Sequence, residues 1–349
     1  METGAVEADG AHTGTAPARR RRRWLRPVGI AALLVLFTTE LVLAWPSLAS
    51  ALAHLRTPHA GWVAAAVLAE LMAMSAYARM QRRLLRSAGV RVSILRHVAL
   101  AYAAHSLSVT LPGGPAFSTR FNYQQMRRFG ATPAVASWCI ALSGILSAVA
   151  LAVLTAAGAV ASRGTPEWRT LVSLGVAVLL VTVGVRQLAR HPGAVEPVTR
   201  AALARFNRLR RRPDAQGLHR IRRFVEQLRA ARLRPTHAAA ASTFALLNWL
   251  LDAVCLWMCF HAVGGGDIDA TQLLLAFCAG MAAGTITLIP GGLGIIDSAL
   301  IIGLVAGGVD TPTAIATVVL YRIISFGFII SAGWISWLII RRNRRRLDR

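Results

Sequence analysis

Long apolar runs alternate with short arginine-rich segments along most of this chain. A helix needs about 20 apolar residues to cross the hydrocarbon core of a bilayer, and several of the runs reach that length. The pattern therefore predicts an all-α polytopic membrane protein. The runs lie at about 28–52, 61–80, 97–111, 133–161, 170–188, 237–261, 270–289 and 313–340.

The first run is either a membrane span or part of a cleaved leader. It follows the basic stretch Arg19–Arg23, which resembles the start of a signal peptide or of a twin-arginine export signal. The apolar region of a signal peptide has about 7–15 residues, so the greater length of this run favours an uncleaved span. We therefore divide the chain into a disordered basic leader (1–26), a transmembrane domain (27–340) and a basic tail (341–349).

Composition supports a membrane protein and narrows the classes of function. Of the 349 residues, 55% are hydrophobic and 15% are charged, and the mean hydropathy is +0.52. All 39 basic residues are arginine, against 15 acidic residues, which gives a formal net charge of +24. These values exclude a soluble enzyme with a polar shell and a disulfide-stapled secreted domain. Because the arginines lie between apolar runs and not on a polar folded domain, we expect no nucleic-acid partner.

The distribution of arginine predicts the topology. Five arginines lie in 81–96, 13 in 189–235 and six after Ile340, whereas 262–269 has none. Basic loops stay in the cytoplasm, so we expect both termini and both basic loops there. If every apolar run crossed the membrane, 189–235 would lie on the opposite side. Two regions must therefore enter the membrane and return to the side they came from.

Two Pro-Gly-Gly breaks supply these two returns. Proline removes a backbone donor and glycine permits positive φ, so the tripeptide breaks a helix. We predict re-entrant hairpins at 97–129 and 270–309, which leaves six full spans. The breaks consist of Pro112, Gly113, Gly114, Pro290, Gly291 and Gly292.

The two hairpins indicate an internal repeat. Pro133 lies 21 residues after Pro112, and Pro312 lies 22 residues after Pro290. Each later proline follows a threonine, which we expect to cap the helix that begins there.

The predicted topology makes this an inverted-topology repeat. Each half, about 27–162 and 170–340, contains two crossings, a hairpin and a third crossing, and the halves start on opposite sides. They are joined through the cytoplasmic loop 189–235. Transporters use this architecture, and their broken helices meet near the midplane to form the substrate site.

Charged side chains within the apolar runs are the strongest candidates for a site. A charge at bilayer depth costs a few kcal/mol and is usually paired or functional. Arg120 and Asp297 occupy near-equivalent positions, eight and seven residues after the break prolines, with opposite charge. The six charged candidates are Glu40, Glu70, Arg120, Asp252, Asp297 and Arg322.

Two interpretations of these charges stay open. In the first, Arg120 binds a lipid phosphate through its planar fork, while Asp297 or Asp252 binds an amine or a sugar hydroxyl. In the second, Arg120–Asp297 and Asp252–Arg322 are buried ion pairs that hold the hairpins. For Glu40 alone we favour a structural role. The candidate head-group residues are Arg120, Asn122, Asp252, Asp297, Tyr321 and Arg322.

Motifs of common enzyme chemistry are absent from the sequence. It has no Gly-x-x-x-x-Gly-Lys phosphate loop, no His-Glu-x-x-His and no Gly-x-Ser-x-Gly. Cys255, Cys259 and His261 lie within two helical turns, but no second Cys/His pair has ligand spacing. We expect these thiols, with Cys139 and Cys278, to be buried small side chains, and we expect no metal and no cofactor.

Several of these motifs occur together in one known family. The paired Pro-Gly-Gly hairpins, the segment Thr132-Pro133-Ala134 after Gly130, Arg120, and Leu320-Tyr321-Arg322 resemble the lysylphosphatidylglycerol synthetase transmembrane-region family. The resemblance extends from about residue 25 to residue 340. It implies a flippase-like membrane domain that moves a lipid, or assists in moving one, between leaflets. We expect no aminoacyl-transferase domain and no synthase activity.

Three functions are compatible with these features. The first is a flippase that moves a phospholipid or a lipid-linked glycan between leaflets of the cytoplasmic membrane. The second is a non-transporting partner of a glycosyltransferase or lipid-synthesis enzyme, and the third is a membrane-embedded transferase. We favour the first and expect no enzymatic activity. Membrane lipids are the expected partners, including anionic head groups at the loop 189–235.

Overall fold

The computed structural model describes residues 58–111, 113–162, 235–284, 290–292 and 294–347. All of them belong to one compact unit, Ser50–Arg349. Their regular secondary structure is helical throughout, in agreement with the predicted fold class. The predictions that lie outside the described residues are the leader, the first span with Glu40, the span at 170–188, the loop 189–235 except its last residue, and Pro112.

The described helices form a series of long spans and short segments. A π-helical segment, Ile323–Phe328, joins the last two helices. A 3₁₀ turn, Pro290–Gly292, precedes the helix that begins at Ile295. In chain order the helices are α1 (Ala60–Ser87), α2 (Ile94–Thr110), α3 (Gly114–Arg128), α4 (Pro133–Ala161), α5 (Pro235–Ala262), α6 (Ala270–Gly284), α7 (Ile295–Ala306), α8 (Thr311–Arg322) and α9 (Ile329–Leu347).

Four helical segments in the described part of the chain are long and apolar enough to cross a membrane. They are α1, α4, α5 and the continuous stretch Thr311–Arg342, which contains α8, the π-helical segment and most of α9. Each corresponds to one of the predicted full spans. The prediction of several apolar spanning helices is therefore confirmed, while the remaining two spans lie outside the described residues.

The two predicted hairpin regions contain only short helices. Helices α2 and α3 have 17 and 15 residues, and α6 and α7 have 15 and 12 residues. All are shorter than the 20 or so residues that a spanning helix needs. Within each region the two helices pack against each other. This is the expected form of a broken hairpin, and the side from which each enters the membrane stays a prediction.

Small residues bring α6 and α7 into close contact. A Cβ atom on Gly280 would lie 2.7 Å from the side chain of Leu300, and one on Gly303 would lie 2.7 Å from the Cβ of Ala276. Close approach through small residues is a common way for helices to associate in membranes, where lipid provides no hydrophobic drive. These glycines therefore fix the second hairpin.

The long spans pack around the two hairpins. Among the described helices, α1 and α5 form the most extensive pair, and α9 packs along α2. At the second interface the hydroxyl of Ser106 donates a hydrogen bond to the carbonyl of Ile330 at 3.1 Å. The first hairpin is therefore held against α9.

Backbone details repeat in the segments that follow the hairpins. Gly130 and Gly308 both have a φ of 92°, and a capped helix begins shortly after each. Thr132 caps α4 as predicted, with its Oγ1 accepting from the amide of Val135 at 3.3 Å. The equivalent prediction for α8 is wrong by one residue: Asp310 is the cap, because its carboxylate accepts from the third residue of the helix at 3.0 Å. These similarities support a repeat, and its inverted orientation stays a prediction.

Candidate functional site

A cavity of about 510 Å³, here called the central cavity, lies where the two hairpin breaks meet. Its volume is typical of cavities that hold small ligands, about 300–1,000 Å³. Both glycine breaks form part of the wall, through Gly113, Gly114, Gly291 and Gly292. The polar and charged side chains in the wall are those of Glu70, His105, Ser108, Trp249, Asp252, Tyr321, Arg322 and Ser325.

The equivalent first glycines of the two breaks share one backbone conformation. Gly113 has a φ of 67° and Gly291 has a φ of 69°, in the left-handed region that favours glycine. A Cβ atom on Gly291 would lie 2.5 Å from the ring of Phe326 and 3.5 Å from the carbonyl oxygen of Val109. Because Val109 belongs to α2, the second break approaches the first hairpin directly.

Arg322 lies between an acid and an aromatic ring at the end of α8. Its Nε donates to Oδ1 of Asp297, and its guanidinium carbon lies 4.7 Å from the centroid of the Phe326 ring, which is a cation–π contact. The π-helical segment that begins at the next residue is a feature frequent at functional sites. The Nη2 atom of Arg322 is buried with no hydrogen-bond partner among the described residues. One donor of the guanidinium fork is thus unused in the cavity wall.

Asp297 connects the second break to α8. Its Oδ2 accepts a hydrogen bond from the amide of Gly294 at 2.9 Å, which is one half of a capping box at the start of α7. Its other oxygen accepts from Arg322. One carboxylate therefore caps a helix and also orients the cavity arginine.

Two acidic side chains meet across the α1–α5 interface. Glu70 of α1 is 6% exposed, and its carboxyl group contacts that of Asp252 on α5. The hydroxyl of Tyr321 donates to Oδ1 of Asp252 at 2.7 Å. Oε2 of Glu70 receives no hydrogen bond from the residues that the structure describes. The cavity wall therefore contains the acidic pair Glu70–Asp252 close to Arg322. Arg322 already binds a third acid, Asp297.

Comparison with known sequences identifies the family. The sequence model of the family described as Lysylphosphatidylglycerol synthase TM region matches residues 24–333. The chain belongs to this family. It is therefore an integral membrane protein with several apolar helices, and the family predicted from the motifs is confirmed.

Two archaeal proteins are similar to parts of this family member. A UPF0104 membrane protein of Pyrococcus horikoshii is 31% identical over 133 residues, which are 37% of this chain and 38% of the relative. A UPF0104 membrane protein of Methanothermobacter thermautotrophicus is 33% identical over 87 residues, which are 25% of each chain. The matches thus span well under two thirds of each relative, and they support a shared membrane domain without indicating a substrate.

In this lysylphosphatidylglycerol synthase TM-region protein, four predicted head-group residues lie at or beside the central cavity. Asp252, Tyr321 and Arg322 line it, and Asp297 binds Arg322. The structure does not form the ion pairs of the second interpretation. Asp297 pairs with Arg322 instead of Arg120, and Asp252 accepts a hydrogen bond from Tyr321. Their role in binding a head group stays a prediction.

Arg120 and Asn122 lie outside the cavity wall. The exposed face of α3 includes Phe117, Arg120 and Arg127, which follow one another at the three- and seven-residue spacing of a helix face. Arg120 is therefore exposed and is not part of the wall of the central cavity, contrary to the expectation that it faces a central cavity. Asn122 is 6% exposed, and its Oδ1 has no hydrogen-bond partner among the described residues.

Several residues of the cavity wall are not among the head-group candidates that the sequence predicts. Glu70 is one of the costly charges in the sequence but is not one of those candidates. Trp249 and Phe326 were not selected at all, although a spacing of three or four residues from Asp252 and Arg322 puts each pair on one helix face. The sequence signal that could have identified Trp249 and Phe326 is a position three or four residues from a buried charge on the same helix.

The cysteines are free and buried, as predicted. Cys255, Cys259 and Cys139 are 0% exposed, and Cys278 is 1% exposed. Within the described ranges, no group of three or more His, Cys, Asp or Glu side chains is placed to hold a metal ion. The polar groups of the described site are therefore carboxyl, phenol, imidazole, hydroxyl, indole and guanidinium groups.

Proposed function

We propose that this protein moves a phospholipid, or a lipid-linked glycan, between leaflets of the cytoplasmic membrane by passing its head group through the central cavity. In this proposal both termini lie in the cytoplasm. The observation that carries it is Arg322, a guanidinium fixed by Asp297 that keeps a buried, unpaired Nη2 donor in the cavity wall.

The physical need for such a cavity follows from the cost of charge in lipid. A charged group at the centre of a bilayer costs about 2.5–3.5 kcal/mol or more, whereas acyl chains move through hydrocarbon without such a cost. A protein that assists lipid movement therefore has to solvate the head group only. The central cavity, at about 510 Å³, suits a head group whose acyl chains remain in the bilayer.

Arg322 is suited to the phosphate that phospholipids and lipid-linked glycans have in common. A guanidinium offers donors in a planar fork that matches phosphate oxygens, and charge-assisted hydrogen bonds are the stronger ones. Asp297 occupies Nε, which orients the fork and leaves Nη2 for a ligand. The ring of Phe326 under the guanidinium limits its other motions.

Translocation in proteoliposomes tests the proposal. The full chain is reconstituted with phospholipids that carry a fluorophore on an acyl chain, and a membrane-impermeant reductant measures how fast inner-leaflet label becomes exposed. We expect the wild type to exceed empty liposomes. Arg322→Gln should lower this rate by about tenfold or more, since a hydrogen bond to a charged group contributes about 1.5–3 kcal/mol. Arg322→Lys should retain part of the rate, because it keeps the charge but not the fork.

Two controls separate binding from folding. Arg128→Gln removes an exposed arginine of α3 that lies outside the central cavity and should leave the rate unchanged. The double variant Arg322→Gln/Asp297→Asn removes both charges of the Arg322–Asp297 pair, so neither is left without its partner, and it should fold but remain slow. A folded wild type that matches empty liposomes with every lipid would overturn the proposal in favour of the non-transporting partner of a lipid-modifying enzyme.

A further inference from the structure

The acidic pair of the central cavity is not explained by phosphate binding. Glu70 and Asp252 are in carboxyl–carboxyl contact, and Glu70 is 6% exposed with Oε2 free of any donor in the described ranges. Two carboxylate groups are both acceptors, so their contact without a shared proton is repulsive. A proton placed between them converts the contact into a hydrogen bond.

The arginine of the described cavity wall does not neutralise the pair in full. Arg322 is the cavity arginine, and Asp297 already binds it. With both acids ionised, the wall therefore keeps two uncompensated negative charges in a buried region, where an unpaired charge is costly. One shared proton halves that charge and leaves the Tyr321 hydroxyl free to donate to Asp252.

Among the residues that the structure describes, few other titratable or charged groups face the pair. Helix α5 contributes thiols, and α2 contributes a phenol and an imidazole. Helix α8 contributes the Tyr321 phenol and the Arg322 guanidinium. The guanidinium is the permanent cation among these groups. These groups are Cys255, Cys259, Tyr102, His105, Tyr321 and Arg322.

We propose that the Glu70–Asp252 pair is a proton-binding site of the central cavity, and that proton binding and release there couple lipid movement to a proton gradient. The coupling, but not the proton site, rests on the proposed function. Binding takes one proton from water on one side and turns two carboxylates into one hydrogen-bonded carboxyl–carboxylate pair. Release returns that proton to water on the other side, and no other bond changes.

Binding of the head group changes how strongly the Glu70–Asp252 pair holds its proton. A phosphate bound at Arg322 brings negative charge into the wall beside the pair, which favours the shared proton. Departure of the phosphate removes that effect and favours release. Proton and head group therefore bind together, which is the linkage that a coupled transporter requires.

Infrared difference spectroscopy tests the proton site without any transport. The full chain in lipid nanodiscs is compared between about pH 5 and about pH 9, a range that lies above ordinary carboxyl pKa values and covers raised ones. We expect a protonated-carboxyl band that titrates in the wild type and is lost in both Glu70→Gln and Asp252→Asn. Asp267→Asn, which changes an exposed acid of the loop after α5, should retain it.

Two spectroscopic outcomes would overturn the proton site. One is a titrating band that persists in both cavity variants. The other is loss of the band at constant pH when sodium replaces choline, which would identify a sodium site instead. The two variants are near-isosteric, and Asp252→Asn keeps an acceptor for Tyr321, so failure of one to fold leaves the other.

Translocation under a gradient tests the coupling. A difference of about one pH unit is a tenfold ratio of proton activity, and we expect the wild-type rates with the two gradient directions to differ by several-fold. Glu70→Gln should translocate at one rate in both directions. Wild-type translocation that ignores the gradient overturns the coupling. A titrating pair in a protein that does not translocate overturns the proposed function and the coupling, while the proton site stands.

Discussion

Tyr321 reaches across the interface of α8 and α5 to donate a hydrogen bond to Asp252, with 2.7 Å between Oη and Oδ1. The next residue, Arg322, binds Asp297 at the start of α7. Two consecutive side chains at the end of α8 thus bind a long span and the second hairpin. The geometry of the central cavity depends on this junction.

Replacing Tyr321 by phenylalanine should destabilise the protein. The change keeps the ring but leaves the Asp252 carboxylate without its hydroxyl donor, and loss of one partner of a buried polar pair costs about 1–3 kcal/mol. We expect the free energy of unfolding, measured by denaturation in detergent, to fall by that amount. Tyr123→Phe removes the hydroxyl of a half-buried tyrosine outside the cavity wall and should cost under about 0.5 kcal/mol. Equal losses would contradict the importance of the Tyr321 bond.

Much of the fold could be predicted from the sequence because its signals are local. The hydropathy of α4 is sufficient to predict that it is a membrane span. The residues next to Thr132 are sufficient to predict that it caps a helix. The same holds for the breaks, since Gly113 and Gly291 take the left-handed φ that glycine permits. Local chemistry decides these features before tertiary packing acts.

The partners of the charged side chains could not be predicted in this way. Equivalent spacing after the two breaks suggested that Arg120 meets Asp297, but spacing does not say which face of α3 points inward. Arg322 lies 25 residues from Asp297 along the chain, and packing of α8 on α7 brings them together. Carboxyl contact between Glu70 and Asp252 likewise exists only because α1 packs along α5.

Two substitutions of Asp297 should separate its cap from its ion pair. Asp297→Asn keeps an oxygen for the amide of Gly294 but loses the charge that Arg322 binds, whereas Asp297→Ala loses both. We expect Asn to lower the free energy of unfolding by about 1–3 kcal/mol and Ala to lower it by about 1 kcal/mol more.

A double-mutant cycle checks the ion-pair part of this prediction. In an Arg322→Ala background, Asp297→Asn should cost almost nothing, since its partner is already absent. An unchanged cost in that background would show that the two side chains do not interact.

The two break glycines should differ in their tolerance of alanine. Gly113→Ala and Gly291→Ala both force a side chain into left-handed φ, which costs about 1–2 kcal/mol. A Cβ on Gly113 meets nothing within 4 Å, whereas one on Gly291 overlaps the ring of Phe326. Overpacking adds about 1–3 kcal/mol, so Gly291→Ala should be the more destabilising change in thermal denaturation. Phe326→Ala should remove most of the difference, and similar melting temperatures for the two single variants would contradict the contact.

Alanine at two helical glycines should change stability in opposite directions. Gly144 is exposed on α4 with nothing within 4 Å of its Cβ position, so Gly144→Ala should stabilise the helix by about 0.5–1 kcal/mol. A Cβ on Gly333 of α9 would overlap the hydroxyl of Ser106 and the backbone of Tyr102 on α2.

Gly333→Ala should therefore separate α9 from the first hairpin and weaken the hydrogen bond from Ser106 to Ile330, 3.1 Å long in the native packing. We expect a loss of about 1–3 kcal/mol, despite the same gain in helix propensity. Paired melting curves in one detergent measure both effects. Stabilisation by both substitutions would mean that α9 is not packed against α2 as closely as the structure describes.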